Sequence, residues 1–151
     1  PAKIEGGGAN NVVPDLAVVR FNIRPKTTEA MQRFDGQLAD LCAELAEDRE
    51  VSVHRHGGVT RPPKPVGAQA QKLFDLVRDC GAALGQTIGW QPTGGVCDGN
   101  NIAACGVPVV DTMGVRGGAI HSPQEFMIIP SLAERAALSA LVLSRLSTGD
   151  L

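Results

Sequence analysis

TGGVCDGNNIAACGVPVVDTMGVRGGAIHSPQEF, running from Thr93 to Phe126, is the stretch around which the rest of the chain reads as scaffolding. It opens on a glycine-rich turn, enters a short helix at an acidic residue, and continues as an apolar run of strand type. A second glycine run then delivers one histidine, His121, followed by Ser122 and Pro123. Helix and strand alternating between glycine turns predict α/β layering.

Composition bounds what surrounds this stretch. A chain of 151 residues makes one domain or two small ones. Apolar content of 43% with 20% charge suits a globular chain with a buried core. The net charge of −2 comes without a basic block, and there is no tyrosine, so neither a phosphate-binding surface nor a base-stacking platform is expected. No apolar run nears the roughly 18–20 residues that span a bilayer. No signal peptide is expected, since Pro1-Ala2-Lys3 leads into no apolar core segment. Cys42, Cys80, Cys97 and Cys105 lack CxxC spacing and read as reduced thiols of a cytoplasmic protein, with a disulfide pair as the alternative.

On the N-terminal side, Gly6–Gly8 and Asn10-Asn11 form a turn, and Val12-Val13-Pro14-Asp15 leads into a strand. Val19, Phe21 and Ile23 alternate with Arg20, Asn22 and Arg24, giving one buried face and one cationic face. A helix follows over about 28–46, with Met31, Phe34, Leu38, Leu41 and Leu45 on one stripe. A second strand is expected over Glu50–His56. The segment 57–65 (GGVTRPPKP) holds three prolines and two glycines and reads as a domain boundary. Beyond it comes a helix over about 67–84, striped by Ala70, Leu73, Val77, Cys80 and Leu84 and stopped by Gly85. A short strand over Thr87–Gln91 precedes the central stretch, and a last helix runs from near Pro130 to about Leu146. One strand–helix–strand unit is too small to close a core, so the chain reads as the back portion of something longer.

Three constellations could carry chemistry. His121, in a loop at a strand end, reads as a ligand or base, or as a plain surface histidine. In the turn Thr93–Asn100, glycines let the backbone approach a ligand, Asp98 or Asn100 caps the helix 101–105, and the helix start favours an anion; a tight αβ turn is the equal alternative. The same turn also matches a G-x-C-x-G nucleophile elbow at Cys97, with Asp111 and His121 following in hydrolase order. Against it, Trp90–Thr93 is no apolar strand, and 24 residues from Cys97 to His121 leave little room for crossovers. His54 and His56 form an HxH pair of zinc-binding type, but no further ligand lies near, and a solvated face is the favoured reading.

The sequence resembles the zinc-dependent metallopeptidases and deacylases that include glutamate carboxypeptidase, acetylornithine deacetylase, succinyl-diaminopimelate desuccinylase and aminoacylase. Gly7 to Asp15, ending at Arg24, is similar to the strand of that family's lid (dimerisation) domain. Thr93 to Ser122, with GGVCDGNN, GVPVVDTMG and GGAIHSP, is similar to the close of its catalytic domain, and the GGVCDGN turn looks closest to the glutamate-carboxypeptidase-like branch. The resemblance implies a partial α+β sandwich lid over 1–60 and the C-terminal α/β segment of a catalytic domain over 61–151. It implies that His121 is the last protein ligand of a two-zinc centre. Asn11 and Arg24, thirteen residues apart on the lid strand, would contact the substrate and its carboxylate. Thr93, Gly94 and Gly95 would line the substrate through main-chain groups. Cys97 stands where the family usually has Ser or Thr, so the hydrogen bond made there is weaker.

The family's other metal ligands and its catalytic glutamate lie in an N-terminal segment this chain does not contain. The expectation is therefore the C-terminal portion of an enzyme cleaving amide bonds of N-acyl amino acids or small peptides, inactive by itself and holding no tight two-metal site. A homodimer through the lid is expected, and neither nucleic acid nor membrane as partner. The alternatives are a non-catalytic dimerisation module and a cysteine hydrolase using Cys97.

Overall fold

The computed structural model describes residues 2–48 and 51–149, which divide into one unit reaching to His54 and another starting at Arg55. Among the described residues there are four helices and two small antiparallel sheets, a mixed architecture of the expected α/β class.

In the first unit, β1 (Lys3–Gly6) pairs antiparallel with β2 (Ala17–Arg20), Ile4 opposite Val19 and Gly6 opposite Ala17. Gly6 has φ +133°, and a Cβ there would stand 2.4 Å from the Leu16 carbonyl oxygen, so only glycine closes this end of the ladder. Glu5 pairs with Lys3 and, at 3.0 Å, with Arg20 across the strands. All three are solvent-reached, so each pair contributes at most about 1 kcal/mol. The strand ahead of Gly6–Gly8 is an addition to the sequence reading, which had placed only a turn there.

The helix α1 (Thr28–Asp48) begins where the Thr27 hydroxyl oxygen accepts the Ala30 N–H at 3.1 Å, an N-cap worth about 1 kcal/mol. Met31, Phe34 and Leu38 are half-buried, and Cys42 continues the stripe, while Leu41 and Leu45 stay exposed. Phe34 meets Phe21 edge to face, with ring centroids 6.0 Å apart.

Two expectations fail in this unit. Val19, Phe21 and Ile23 do not form a buried face: they are 41–56% exposed, and Val18 is the half-buried residue of β2. A two-strand ribbon and one helix have too little apolar surface to cover both rows. The second strand expected over Glu50–His56 is also missing. Glu50 lies outside the described residues, and 51–56 form no ladder, because alternation selects a face without supplying a partner.

The second unit is organised by α2 (Ala68–Ala83) and α4 (Ser131–Ser147), whose apolar faces meet. Leu76, Val77, Cys80, Leu138 and Val142 form the buried core, with Leu73, Ile88, Val110 and Met113 packed at its edge. Helix α2 ends as its sequence demands. Gly85 takes φ +70°, its N–H bonds the Ala82 carbonyl, and the Gln86 N–H bonds the Gly81 carbonyl at 2.8 Å, the double closure of a Schellman motif. Pro130, the N-cap of α4, has φ −58°, close to the angle its ring imposes.

Residues 87–91 are no strand. Stacking of Trp90 on Phe74 (centroids 4.1 Å apart) and packing of Ile88 on the core hold the segment instead. The apolar run 107–110 likewise lacks a ladder partner among the described residues, although Val110 reaches the core edge. The ladder that does form is β3 (Gly117–Gly118) with β4 (Phe126–Met127), continued by the Ile128 N–H to the Arg116 carbonyl at 2.8 Å. Buried Ser131 ties this hairpin to α4, since its Oγ accepts the Arg116 N–H at 2.8 Å. The Arg116 guanidinium then grips Glu134 with two bonds, of 2.9 and 3.2 Å.

Candidate functional site

His121 sits in the connection between β3 and β4. Both Ala119 (φ 55°) and His121 (φ 66°) occupy the left-handed region, which costs a non-glycine residue about 1–2 kcal/mol and persists only where neighbours enforce it. The enforcement is local. The Ser122 N–H and hydroxyl both bond the Ala119 carbonyl (3.1 and 2.7 Å), the Glu125 N–H bonds the Ser122 carbonyl (3.1 Å), and the His121 N–H reaches the Glu125 carboxylate (3.3 Å). His121 is exposed, and its imidazole makes no hydrogen bond or ion pair among the described residues.

The turn before α3 (Asp98–Ala104) is more tightly built. The Thr93 hydroxyl oxygen accepts the Gly95 N–H at 3.0 Å. Cys97 is the N-cap of α3; its N–H bonds Asn100 Oδ1 at 3.1 Å, and its thiol donates to Asp111 Oδ2 at 3.0 Å. Asp111 also accepts an ion-paired hydrogen bond from Lys64. Asn100, 6% exposed, turns its amide to the Pro62 carbonyl at 2.9 Å, and Arg61 pairs with Asp98 at 3.0 Å. Gly99 makes room for the cluster, because a Cβ there would meet Val109, Cys97 Sγ and Asp111 Oδ2 at 3.0–3.2 Å.

Electrostatics follow from these partners. The Lys64 ammonium holds the Asp111 carboxyl below the ordinary carboxylate range. Partial burial opposes it, and the Cys97 thiol bond adds to it. The helix cap is corrected as well: α3 starts at Asp98 rather than Asn101, with Asn100 reaching back to the cap and Asp98 paired outward.

The elbow reading of Cys97 fails on geometry. A nucleophile elbow needs a strained strand-to-helix turn, whereas Cys97 has ordinary extended backbone (φ −143°, ψ −177°) and no strand before it. Its thiol bonds the acid, Asp111, where a triad requires the histidine.

Asn11 lies in the turn closed by the Val12 N–H to the Ala9 carbonyl (3.0 Å). Arg24 lies past the end of β2, with Nε on Asn22 Oδ1 at 3.3 Å. Neither is on the strand where the sequence reading put them, because β2 stops at Arg20. His54 and His56 are exposed, and no group of three His, Cys, Asp or Glu able to hold a metal occurs among the described residues. His121 is thus a single donor, and a catalytic zinc needs three protein ligands, so the described residues do not themselves form that site. Lys64 and Glu125 were not singled out from sequence. The lysine was hidden in a proline-rich segment read as a domain boundary, and its only signal was a basic residue ahead of a later acid.

Residues 1–50 match the peptidase dimerisation domain family. Over 98% of its length the chain is 31% identical to a succinyl-diaminopimelate desuccinylase of Psychrobacter sp. (strain PRwf-1), covering 37% of that protein. Enzymes of the same name from Psychromonas ingrahamii and Xanthomonas euvesicatoria pv. vesicatoria are 27% and 28% identical over 95% and 93% of the chain, each 36% covered. The chain spans little more than a third of the length of these curated relatives. No solved structure matches. No helix among the described residues is long and apolar enough to cross a membrane. The dimerisation-domain match and the desuccinylase likeness fall on one chain, and together they support the metallopeptidase and deacylase family that its sequence resembles.

Proposed function

We propose that this chain is the C-terminal portion of a cytoplasmic two-zinc metallohydrolase that cleaves amide bonds of N-acyl amino acids or small peptides. The observation carrying the reading is His121: an exposed imidazole without a partner among the described residues, on a backbone held at φ 66° by its own loop. Strain of that kind, enforced by four local hydrogen bonds, suits a residue whose direction matters. When bound, the zinc pair supplies a nucleophile at neutral pH and polarises the scissile carbonyl.

The chain's own residues bind and orient. Main-chain groups of Thr93, Gly94 and Gly95 line one side of the substrate, and Arg24 with Asn11 takes its carboxylate. The planar guanidinium fork matches a carboxylate bidentately. The relatives named desuccinylase support an acyl group that itself carries a carboxylate.

The experiment compares this chain with an intact protein that also carries the family's other metal ligands and its catalytic glutamate. The 151-residue chain is expected to hydrolyse no N-succinyl or N-acetyl amino acid, and the intact protein to hydrolyse them, with loss on chelation and on His121→Ala. Hydrolysis by the chain alone, or intact-protein activity indifferent to a chelator, contradicts the proposal. Retained activity in Cys97→Ser separates it from a cysteine hydrolase.

A second role is compatible with the first. Ile4, Val19, Leu41 and Leu45 are apolar and 40–69% exposed, and they fall in the segment that matches the dimerisation domain. Pairing of this unit about a two-fold axis covers such rows on both copies. Sedimentation that finds only monomer at high concentration sinks it.

A further inference from the structure

The segment Arg61–Lys64, within the stretch read from sequence as a domain boundary, holds both polar ends of Cys97 through intermediaries. The Cys97 N–H goes to Asn100 Oδ1, and Asn100 is fixed by the Pro62 carbonyl. The Cys97 thiol goes to Asp111 Oδ2, the same oxygen that Lys64 holds. Cys97 sets where the chain enters α3, two residues after Gly95. Gly95 is itself exposed, and its N–H bonds only within the turn, to Thr93. Cys97 is therefore a fixed point from which Thr93–Gly95 departs.

We propose that Lys64 is a positioning residue for the substrate-facing turn Thr93–Gly95, acting through Asp111 and Cys97. This rests on the reading of that turn as a substrate wall. A thiol is a weak donor, and it keeps its bond only while the acceptor is aimed at it. Lys64 and Asp111 are 20% and 32% exposed, so water competes for the carboxylate, and the ammonium is what stops Asp111 from rotating outward. Without Lys64 the thiol loses its aimed acceptor, and the residue at which Thr93–Gly95 runs into α3 loses one of its anchors. Substrate contacts made through backbone N–H groups depend on that direction more than on any side chain in the turn.

The test uses Lys64→Met and Lys64→Arg, with Lys72→Met as an exposed lysine control. In the 151-residue chain, Lys64→Met is expected to move the backbone amide resonances of Thr93, Gly94 and Gly95, with Lys64→Arg restoring most of the shift and Lys72→Met moving none. In the intact protein, Lys64→Met is expected to raise KM for an N-acyl amino acid about 10-fold with kcat within about a factor of 2, the signature of lost uniform binding. Unmoved glycine amides in Lys64→Met, or equal falls in kcat and kcat/KM, overturn the proposal. An intact wild-type protein with no hydrolysis refutes the functional reading instead, and the amide shifts then still decide the positioning role. If Lys64→Met does not fold, Asp111→Asn, which removes the charge Lys64 pairs with and keeps an oxygen for the thiol, is read in the same way.

Discussion

Gly117→Ala is the sharpest single perturbation of the loop that carries His121. An added Cβ would lie 2.2 Å from the Phe126 carbonyl oxygen and 3.4 Å from Met127 Cα. An ordinary carbon–oxygen contact is about 1 Å longer, and moving β4 back by about 1 Å carries an N···O pair at about 2.9 Å out of hydrogen-bonding range. The ladder has only two residues on each side, and the Ile128 N–H to Arg116 carbonyl bond lies directly beyond it. Two lost backbone bonds at about 1 kcal/mol each come to roughly 2 kcal/mol of local stability. That corresponds to about 30-fold faster amide exchange at Met127 and Ile128. Gly114→Ala is the built-in control, because a Cβ there meets nothing within 4 Å and its φ is not positive. Exchange at Ile128 changing less than threefold in Gly117→Ala, or changing equally in Gly114→Ala, refutes the argument that this hairpin needs glycine to close.

Two further outcomes follow from the second unit. Leu138, 1% exposed between Val77, Cys80 and Val142, should cost about 2–5 kcal/mol as Leu138→Ala, read by chemical denaturation; a loss under 1 kcal/mol means the α2–α4 core is not where stability resides. Asp111, its carboxyl held below the usual range by Lys64, is bound more favourably in the folded state once ionised. Its contribution is full above the unfolded carboxylate pKa near 4 and is lost as pH falls through the lower folded value. Asp111→Asn should therefore lower Tm at pH 7 and converge with the wild type as the pH falls through that lowered folded value, and a gap that widens in acid has the wrong sign.

Much of this molecule was legible in its residues, and the parts that were not share a cause. Helices α1, α2 and α4 announce themselves through apolar spacing of three and four, and through Gly85, which stops α2, and Pro130, which starts α4, since a helix carries its own hydrogen-bond partners. Strands do not. Residues 51–56, 87–91 and 107–110 read as strands yet form no ladder among the described residues, while β1 and the two-residue β3 were passed over as glycine turns. In both short ladders a glycine is the residue that permits closure, Gly6 in one and Gly117 in the other, so the signal for a turn and the signal for close strand approach were the same letter.

The candidate site divides along similar lines. His121 and the Thr93–Asn100 turn could be singled out from sequence because glycine and polar residues mark backbone that leaves helix and strand geometry. Lys64 could not, because its partner Asp111 lies 47 residues on and only folding brings them together. The Cys97 elbow was a true motif match with the wrong geometry: one torsion pair and one hydrogen bond to Asp111 exclude it.

The central claim is that His121 is this chain's contribution to a two-zinc centre completed from outside it, and zinc content tests it most directly. Metal analysis after exhaustive dialysis should find about two zinc ions in the intact protein, fewer than two in its His121→Ala variant, and no tightly held pair in the 151-residue chain. Two zinc ions retained by the His121→Ala protein, or by the 151-residue chain alone, contradict the account.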